Sequence, residues 1–523
     1  MGSDSRLAES REAPASMEPL SRFLVRNASE FADRAAVIDG STVLSHRTLL
    51  ERVAALGEVL RRWKGRVLTA LPNGHAVVVA HYAALVAGLQ SLIVDACAPA
   101  DDLVHATSAF SPEIVLTSQD QIGRLVHILD GLASVQQIVL LPSAEAPSLC
   151  ATRHPVRIVS WADSGSAELI DLAEMDVPAL VLCTSGTTGA PKYVSLTQRN
   201  VLAAARNINE FMQTAMGAVE VTPLPLHRSF GLGRARCLSL AGGTLVISPP
   251  RGDRALALLA RHRATGFSSV PAFFRMMIRT FGKRLAKYLA PLEYIEIGSA
   301  PMDRADKLFL LEVAPRARIC MHYGLTEASR SAFIEFRSER TKLDTVGRPA
   351  PHVAVRVVAE NGHPCTPGET GEIIVRGDHV CAQYWKNPEL TKSRLRDGWF
   401  HTNDYGSVDA DGYIRLSGRM DDLMNVGGIK VSPEKIEGVV RAIPGVADCA
   451  AVAAKDPRGI YGDVPLLYVV REEQARLSTA AVKSYCVAHL VAEEVPHEVI
   501  FIDAIPRTDA GKVLRARLRG GVA

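Results

Sequence analysis

Short runs of consecutive apolar residues return again and again in the first half of the chain. They fall at 66–71 (RVLTAL), 91–96 (SLIVDA), 113–118 (EIVLTS), 136–141 (QQIVLL), 179–184 (ALVLCT) and 243–248 (GTLVIS). A strand that is apolar at nearly every position must be covered on both faces. Stretches of helical periodicity, such as 74–88, separate several of these runs. Together they predict an α/β class: layered α/β subdomains built on mostly parallel sheets. After residue 345 the rhythm becomes period-two. The stretch HVAVRVVAENGHPCTPGETGEIIVRG holds Asn361-Gly362 and Pro-Gly turn signals, and GSVDADGYIRLSGR turns at Asp411-Gly412, so both read as antiparallel β. Roughly a hundred residues with their own strand and helix pattern follow Arg419. A chain of 523 residues is too long for one core. The expected organisation is a disordered lead over 1–20, a large domain over 21–420 that ends in a β-rich subdomain, and a small α+β domain over 421–523.

Charge and cysteine content narrow the functional classes. The net charge is +3, with 22% charged residues, which offers no argument for a nucleic-acid partner or an acidic membrane surface. The Arg-rich end, RTDAGKVLRARLRG, reads as a solvated helix face or a substrate-facing element. The nine cysteines form no CxxC pair, so they read as reduced thiols of a cytoplasmic protein without a zinc site. Residues 76–96 are apolar enough to test as a membrane span. His81, Gly88 and Gln90 interrupt them, and a buried helix followed by a strand fits better than an integral membrane contact.

One loop asks for a ligand. Residues 184–192 read TSGTTGAPK. Gly186 and Gly189 permit backbone angles that let amide groups converge on an anion. Thr184, Ser185, Thr187 and Thr188 add hydroxyl donors, and Lys192 adds a charge. The spacing is not that of a Walker A loop. On composition alone a flexible polar surface loop also fits. The loop is expected to run from a buried strand into a helix, LTQRNVLAAARNINEFMQ, capped by Thr197.

The loop resembles the phosphate-binding signature of the adenylate-forming superfamily, which includes acyl- and aryl-CoA ligases, adenylation domains of peptide synthetases and luciferases. The other motifs of that family follow in family order: HYGLTEAS (322–329), GEIIVRG (371–377), GWFHTNDYG (398–406), SGRMDDLMNVGGIKVSPEKIE (417–437) and PRTDAGKVLR (506–515). The resemblance implies activation of a carboxylic acid by ATP, with magnesium, to an acyl-adenylate and pyrophosphate. The acyl group then passes to a pantetheine thiol, either of CoA or of a carrier protein acting in trans. It further implies that Lys512 bridges the carboxylate and the α-phosphate, that Glu327 holds magnesium and that Thr326 contacts phosphate. Tyr323 would pack on adenine, flanked by His322 and Gly324. Asp404 would accept bonds from ribose hydroxyls, and Arg419 would add donors to ribose or phosphate. The small domain would be mobile, swinging near Asp421 so that Gly427 and Gly428 line a thiol tunnel.

The acid side is read from PLPLHRSFGLG (223–233). Amino-acid-activating relatives usually place an Asp there to pair an α-amine. Here stand His227, Arg228, Ser229 and Phe230, so an aryl or acyl acid without an α-amine is expected, because an unpaired buried amine is costly. His227 would gate the carboxylate, and Gly298, Ser299, Ala300 and Pro301 would form the pocket floor. Three positions depart from the family pattern. Tyr193 stands where Gly is commonest and is expected to alter loop mobility, as in a slower, specialised biosynthetic ligase. Gln198 replaces His, and Asn403 replaces Gly, which Asn tolerates through its ease in left-handed backbone. The presence of Lys512, Glu327, Asp404 and Arg419 argues against a non-catalytic scaffold.

Overall fold

The computed structural model describes residues 18–141, 152–159, 161, 168–184, 191–427, 429–460, 462–507, 511 and 513–519. Every apolar run predicted as a strand is one, within a residue or two at each end. An eight-stranded sheet has the order Gln383–Tyr384, Lys192–Thr197, Pro178–Thr184, Gln90–Asp95, Arg66–Leu71, Ile114–Ser118, Gln137–Leu141, Val156–Ile158. A nine-stranded sheet runs Arg348–Pro349, Ala332–Glu335, Arg318–Tyr323, Tyr294–Ile297, Gly266–Ser269, Val219–Thr222, Thr244–Ile247, Ala35–Asp39, Thr42–Ser45. Their central strands are parallel, and antiparallel pairs occur toward the ends.

The helix His75–Val86 explains the apolar 76–96 segment. From Val77 to Val86 every residue is buried, in a core shared by strands of both large sheets. A helix apolar all round belongs in an interior. Twelve residues are too few to cross a bilayer, and no helix of the described residues is long and apolar enough to do so.

The β-rich part forms as expected. Ala354–Val358, Thr370–Arg376 and Trp399–Val408 pair antiparallel, and Ile414–Arg419 and Leu395–Arg396 both add to Trp399–Val408. Gly362 and Gly412 adopt φ of 82° and 84° at the two predicted turns. Residues from Met424 to Leu518 enclose separate apolar clusters beneath the sheet Val446–Lys455, Asp463–Arg471, Glu498–Phe501. The protein is thus a mixed α/β fold with a large N-terminal unit and a smaller C-terminal one.

Two expectations need correction. The polar lead ends before residue 20: Leu20 is fully buried, opens the helix Leu20–Glu30, and donates its N–H to Gln198 Oε1 at 2.8 Å. Residues 1–17 lie outside the described residues. The glycine-rich loop joins two strands, not a strand and a helix. Pro178–Thr184 and Lys192–Thr197 pair as an antiparallel hairpin, with Thr184 opposite Lys192. The helix Gln198–Met212 begins only afterwards. Its start was read correctly: Thr197 accepts from Asn200 N–H, and the Asn200 side chain answers at the Thr197 N–H.

Candidate active site

The hairpin sets the base of the glycine-rich loop. The Thr184 hydroxyl donates to the Lys192 carbonyl at 3.4 Å. Ser185, Gly186, Thr187, Thr188 and Gly189 lie outside the described residues. Lys192 opens the second strand, half-buried. Burial, then the nearby Arg394, pull its pKa down, and the negative charge of Glu327 acts against them. The lysine therefore shares a neighbourhood with Glu327. Tyr193 is no loop residue: its ring is buried in the apolar cluster of the eight-stranded sheet and stacks on His105 at 6.1 Å. Its bulk is taken up by the core of that sheet.

Three sheets meet beside this hairpin. At the end of Arg318–Tyr323, Tyr323 donates its hydroxyl to Asp404 Oδ2 at 2.6 Å. Asp404 sits inside Trp399–Val408, directly across from Arg419, whose Nη1 is 3.1 Å from Asp404 Oδ1. Burial disfavours the Arg419 charge, but Asp404, Tyr323, Glu327 and Asp421 together outweigh it and raise the guanidinium pKa. Burial and Asp404 together push the Tyr323 hydroxyl up, so it stays protonated and donates. Asn403 has φ of 65°. Left-handed backbone at that position suits the Gly that relatives place there, and Asn replaces it at little cost.

Glu327 lies beyond the same strand, nearly buried, and its Oε1 accepts the Tyr384 hydroxyl at 2.7 Å. Tyr384 belongs to the two-residue edge strand of the eight-stranded sheet, so this bond ties the two large sheets together. Thr326 is half-buried beside it. Gly324 is required by packing: a Cβ there would fall 2.3 Å from the Arg330 backbone nitrogen.

On the acid side, His227 is half-buried in the turn before the helix Ser229–Leu240. A Cβ on Gly231 would lie 2.4 Å from the Pro225 carbonyl oxygen, so this glycine lets the turn fold back on the helix. Ser299 is exposed with φ of 77°, Ala300 is half-buried and Pro301 is exposed. His322 faces away from the Asp404 group, because successive strand residues point to opposite faces. Its Nδ1 lies 2.8 Å from Glu296 Oε1.

Glu296 opens a buried ion cluster that the sequence reading did not find. Arg330 Nε is 3.1 Å from Glu296 Oε1, and Arg234 Nη1 is 3.0 Å from Oε2. Arg234 Nε also reaches both oxygens of Glu220 at 3.0 Å, and Tyr294 donates to Glu220 at 2.7 Å. The side chains of Arg234, Glu220 and Glu296 are 0% exposed. Burial alone would raise the Glu296 pKa, but Arg330 and Arg234 hold it well below the usual carboxylate range. The signal available in sequence was a charge inside each apolar run, YIEIG and GLGRARCLSL.

The smaller unit is described only in part. Gly427 turns a hairpin between Met424–Val426 and Ile429–Val431 with φ of 60°. Asp421 is exposed just before it. Gly428 and Lys512 lie outside the described residues. Next to Lys512, a Cβ on Gly511 would come 3.9 Å from Ala272 Cβ, so this end of the chain lies against the helix Pro271–Phe281 of the large unit.

The family model for AMP-binding enzymes matches residues 24–385, and that for their C-terminal domain matches 435–512. The chain is an AMP-binding enzyme. Among its relatives, the feruloyl-CoA synthase of Amycolatopsis sp is 29% identical, covering 96% of this chain and 98% of the relative. The sulfoacetate–CoA ligase of Cupriavidus necator is 31% identical over 74% of this chain and 76% of its own. ATP-bound MatB from Rhodopseudomonas palustris superposes with a TM-score of 0.85 at 25% identity, covering 96% and 98% of the two chains. The enzyme is accordingly an AMP-forming acid–thiol ligase. It uses ATP to turn a carboxylic acid into an acyl-adenylate and transfers the acyl group to CoA.

Proposed function

We propose that the acid is an aryl or acyl acid without an α-amine, and that magnesium-bound ATP is held between the Asp404 group and Glu327. The reading is carried by one observation: Asp404, bonded by Tyr323 at 2.6 Å and faced by Arg419 at 3.1 Å, lies at the meeting of the sheets that supply Glu327 and Lys192. A carboxylate has about four lone-pair sites. Asp404 is suited to accept from two vicinal hydroxyls of a ribose while its charge stays balanced by Arg419. Glu327 suits a hard cation that keeps phosphate and water oxygens as its other ligands. Lys192 and the hydroxyl-rich loop would meet the phosphates. His227 would stand at the acid's carboxylate with the 298–301 segment beneath it.

In this reading Lys512 neutralises charge where the acid oxygen meets the α-phosphate. The small domain then turns near Asp421 and brings Gly427 and Gly428 toward the thiol. The test separates the two half-reactions. Lys512→Ala should slow pyrophosphate release on the order of 100- to 1,000-fold. Thioester formation from supplied acyl-adenylate and CoA should fall much less. An equal fall in both would contradict domain alternation.

A further inference from the structure

The wall behind the acid pocket has a chemistry of its own. Taking the 298–301 segment as the pocket floor, as proposed above, the residue that overhangs it is His322. A Cβ built on Gly298 would fall 2.0 Å from both Cε1 and Nε2 of that ring. The Cε1–Nε2 edge therefore faces the floor, and glycine is needed at 298 to admit it.

The opposite edge fixes the tautomer. Nδ1 is 2.8 Å from Glu296 Oε1, and Glu296 is held ionised between Arg330 and Arg234. A bare ring nitrogen at that distance would oppose its lone pair to the carboxylate's. The negative charge of Glu296 at that distance favours the proton on Nδ1, which leaves the lone pair on Nε2. Burial holds the ring uncharged by lowering its pKa, although Glu296 opposes this. The ring's other neighbours are Phe230, edge-on at 4.7 Å, and Phe333 at 6.0 Å.

Arg330 locks the wall in place. Its guanidinium covers the Phe230 ring at 4.7 Å and donates to the carbonyls of Ser229 and Phe230 and to Ser329 Oγ. A Cβ on Gly233 would lie 2.5 Å from Arg330 Nη1, so the helix Ser229–Leu240 is hollowed to receive it. These contacts and Glu296 hold Arg330, and with it Phe230, in place behind the His322 ring.

We infer that His322 Nε2 accepts a hydrogen bond from the acid substrate. The preferred substrate is then an aryl or acyl acid that carries a hydroxyl donor remote from its carboxylate. A site built to bond a substrate hydroxyl rejects the analogue lacking it far more strongly than an apolar pocket rejects a missing methyl group.

The test compares kcat/KM for pyrophosphate release with 3- and 4-hydroxybenzoate against 3- and 4-methylbenzoate, with the corresponding cinnamates and dodecanoate alongside. The wild type should favour at least one hydroxy acid over its methyl isostere by about 100-fold or more. In His322→Phe, which keeps the ring volume, the ratio should fall to within about threefold of one. Release with methyl and hydroxy acids at equal efficiency, efficient release with dodecanoate, or a ratio that survives His322→Phe would overturn the inference. Silence of the wild type with every acid, amino acids included, would overturn the ligase reading on which it rests. An independent readout is the ¹⁵N spectrum at pH 7, with His322 assigned by its loss in the Phe variant. Nε2 should resonate as an unprotonated imidazole nitrogen, and a protonated Nε2 would contradict the proposal.

Discussion

Two clusters of carboxylate, arginine and tyrosine flank the strand Arg318–Tyr323, and they use the same residue types to opposite ends. His322 points to Glu296, Arg234, Arg330 and Glu220; Tyr323, the next residue, points to Asp404 and Arg419. The first cluster is sealed, with Arg234 and both glutamates at 0% exposure. In the second, the Arg419 side chain keeps 20% of its surface and the Asp404 side chain 8%. Sealed charges can be balanced only by one another. Charges at an open edge keep capacity for a ligand. The pair teaches that ion-pair chemistry alone does not mark a binding site; access does.

The largest effect expected from breaking this contrast is on the sealed side. Glu296→Ala leaves two buried guanidinium groups short of a partner and should cost about 3–5 kcal/mol, read as a drop in the urea midpoint. Asp404→Asn uncharges a buried carboxylate whose partner Arg419 keeps 20% of its side-chain surface, so it should cost less than Glu296→Ala, about 1–3 kcal/mol, while raising the ATP KM at least tenfold in pyrophosphate release.

Acid sharpens the same distinction. His81 and His379 are buried neutral, with pKa values pushed down by burial to about 3 and about 4 from an ordinary 6.5. The unfolded chain takes up these protons as pH falls through 6.5, and the folded chain does not. Stability is therefore full above 6.5 and is lost toward pH 4. Going from pH 7 to 5 should cost about 2 kcal/mol for each histidine, and replacing either with Phe should flatten the slope by that amount. The smallest effect is a local control. Thr197→Ala removes a helix cap beneath the glycine-rich hairpin and should cost about 1 kcal/mol with nucleotide affinity unchanged.

Much of this was legible before any coordinates. The strand runs, the Thr197 cap, both β-hairpin glycines and the tolerance of Asn403 for left-handed backbone follow from local chemistry, and each is observed. What escaped depends on distant pairing. Lys192–Thr197 is a strand because Pro178–Thr184 lies beside it, which no local periodicity reports. Arg234 lies 62 residues before Glu296 and Arg330 lies 34 after it, and only folding brings their charges together. Tyr384, which holds Glu327, reads in sequence as one more aromatic before a turn.

One experiment tests the central claim most directly: paired thermal melts of Asp404→Asn and Glu296→Gln, each with and without magnesium and ATP. Asp404→Asn should melt between the wild type and Glu296→Gln and lose most of the upward shift that ATP gives. Glu296→Gln should melt well below the wild type and keep that shift. A full ATP shift in Asp404→Asn would contradict the assignment of the open cluster to the nucleotide.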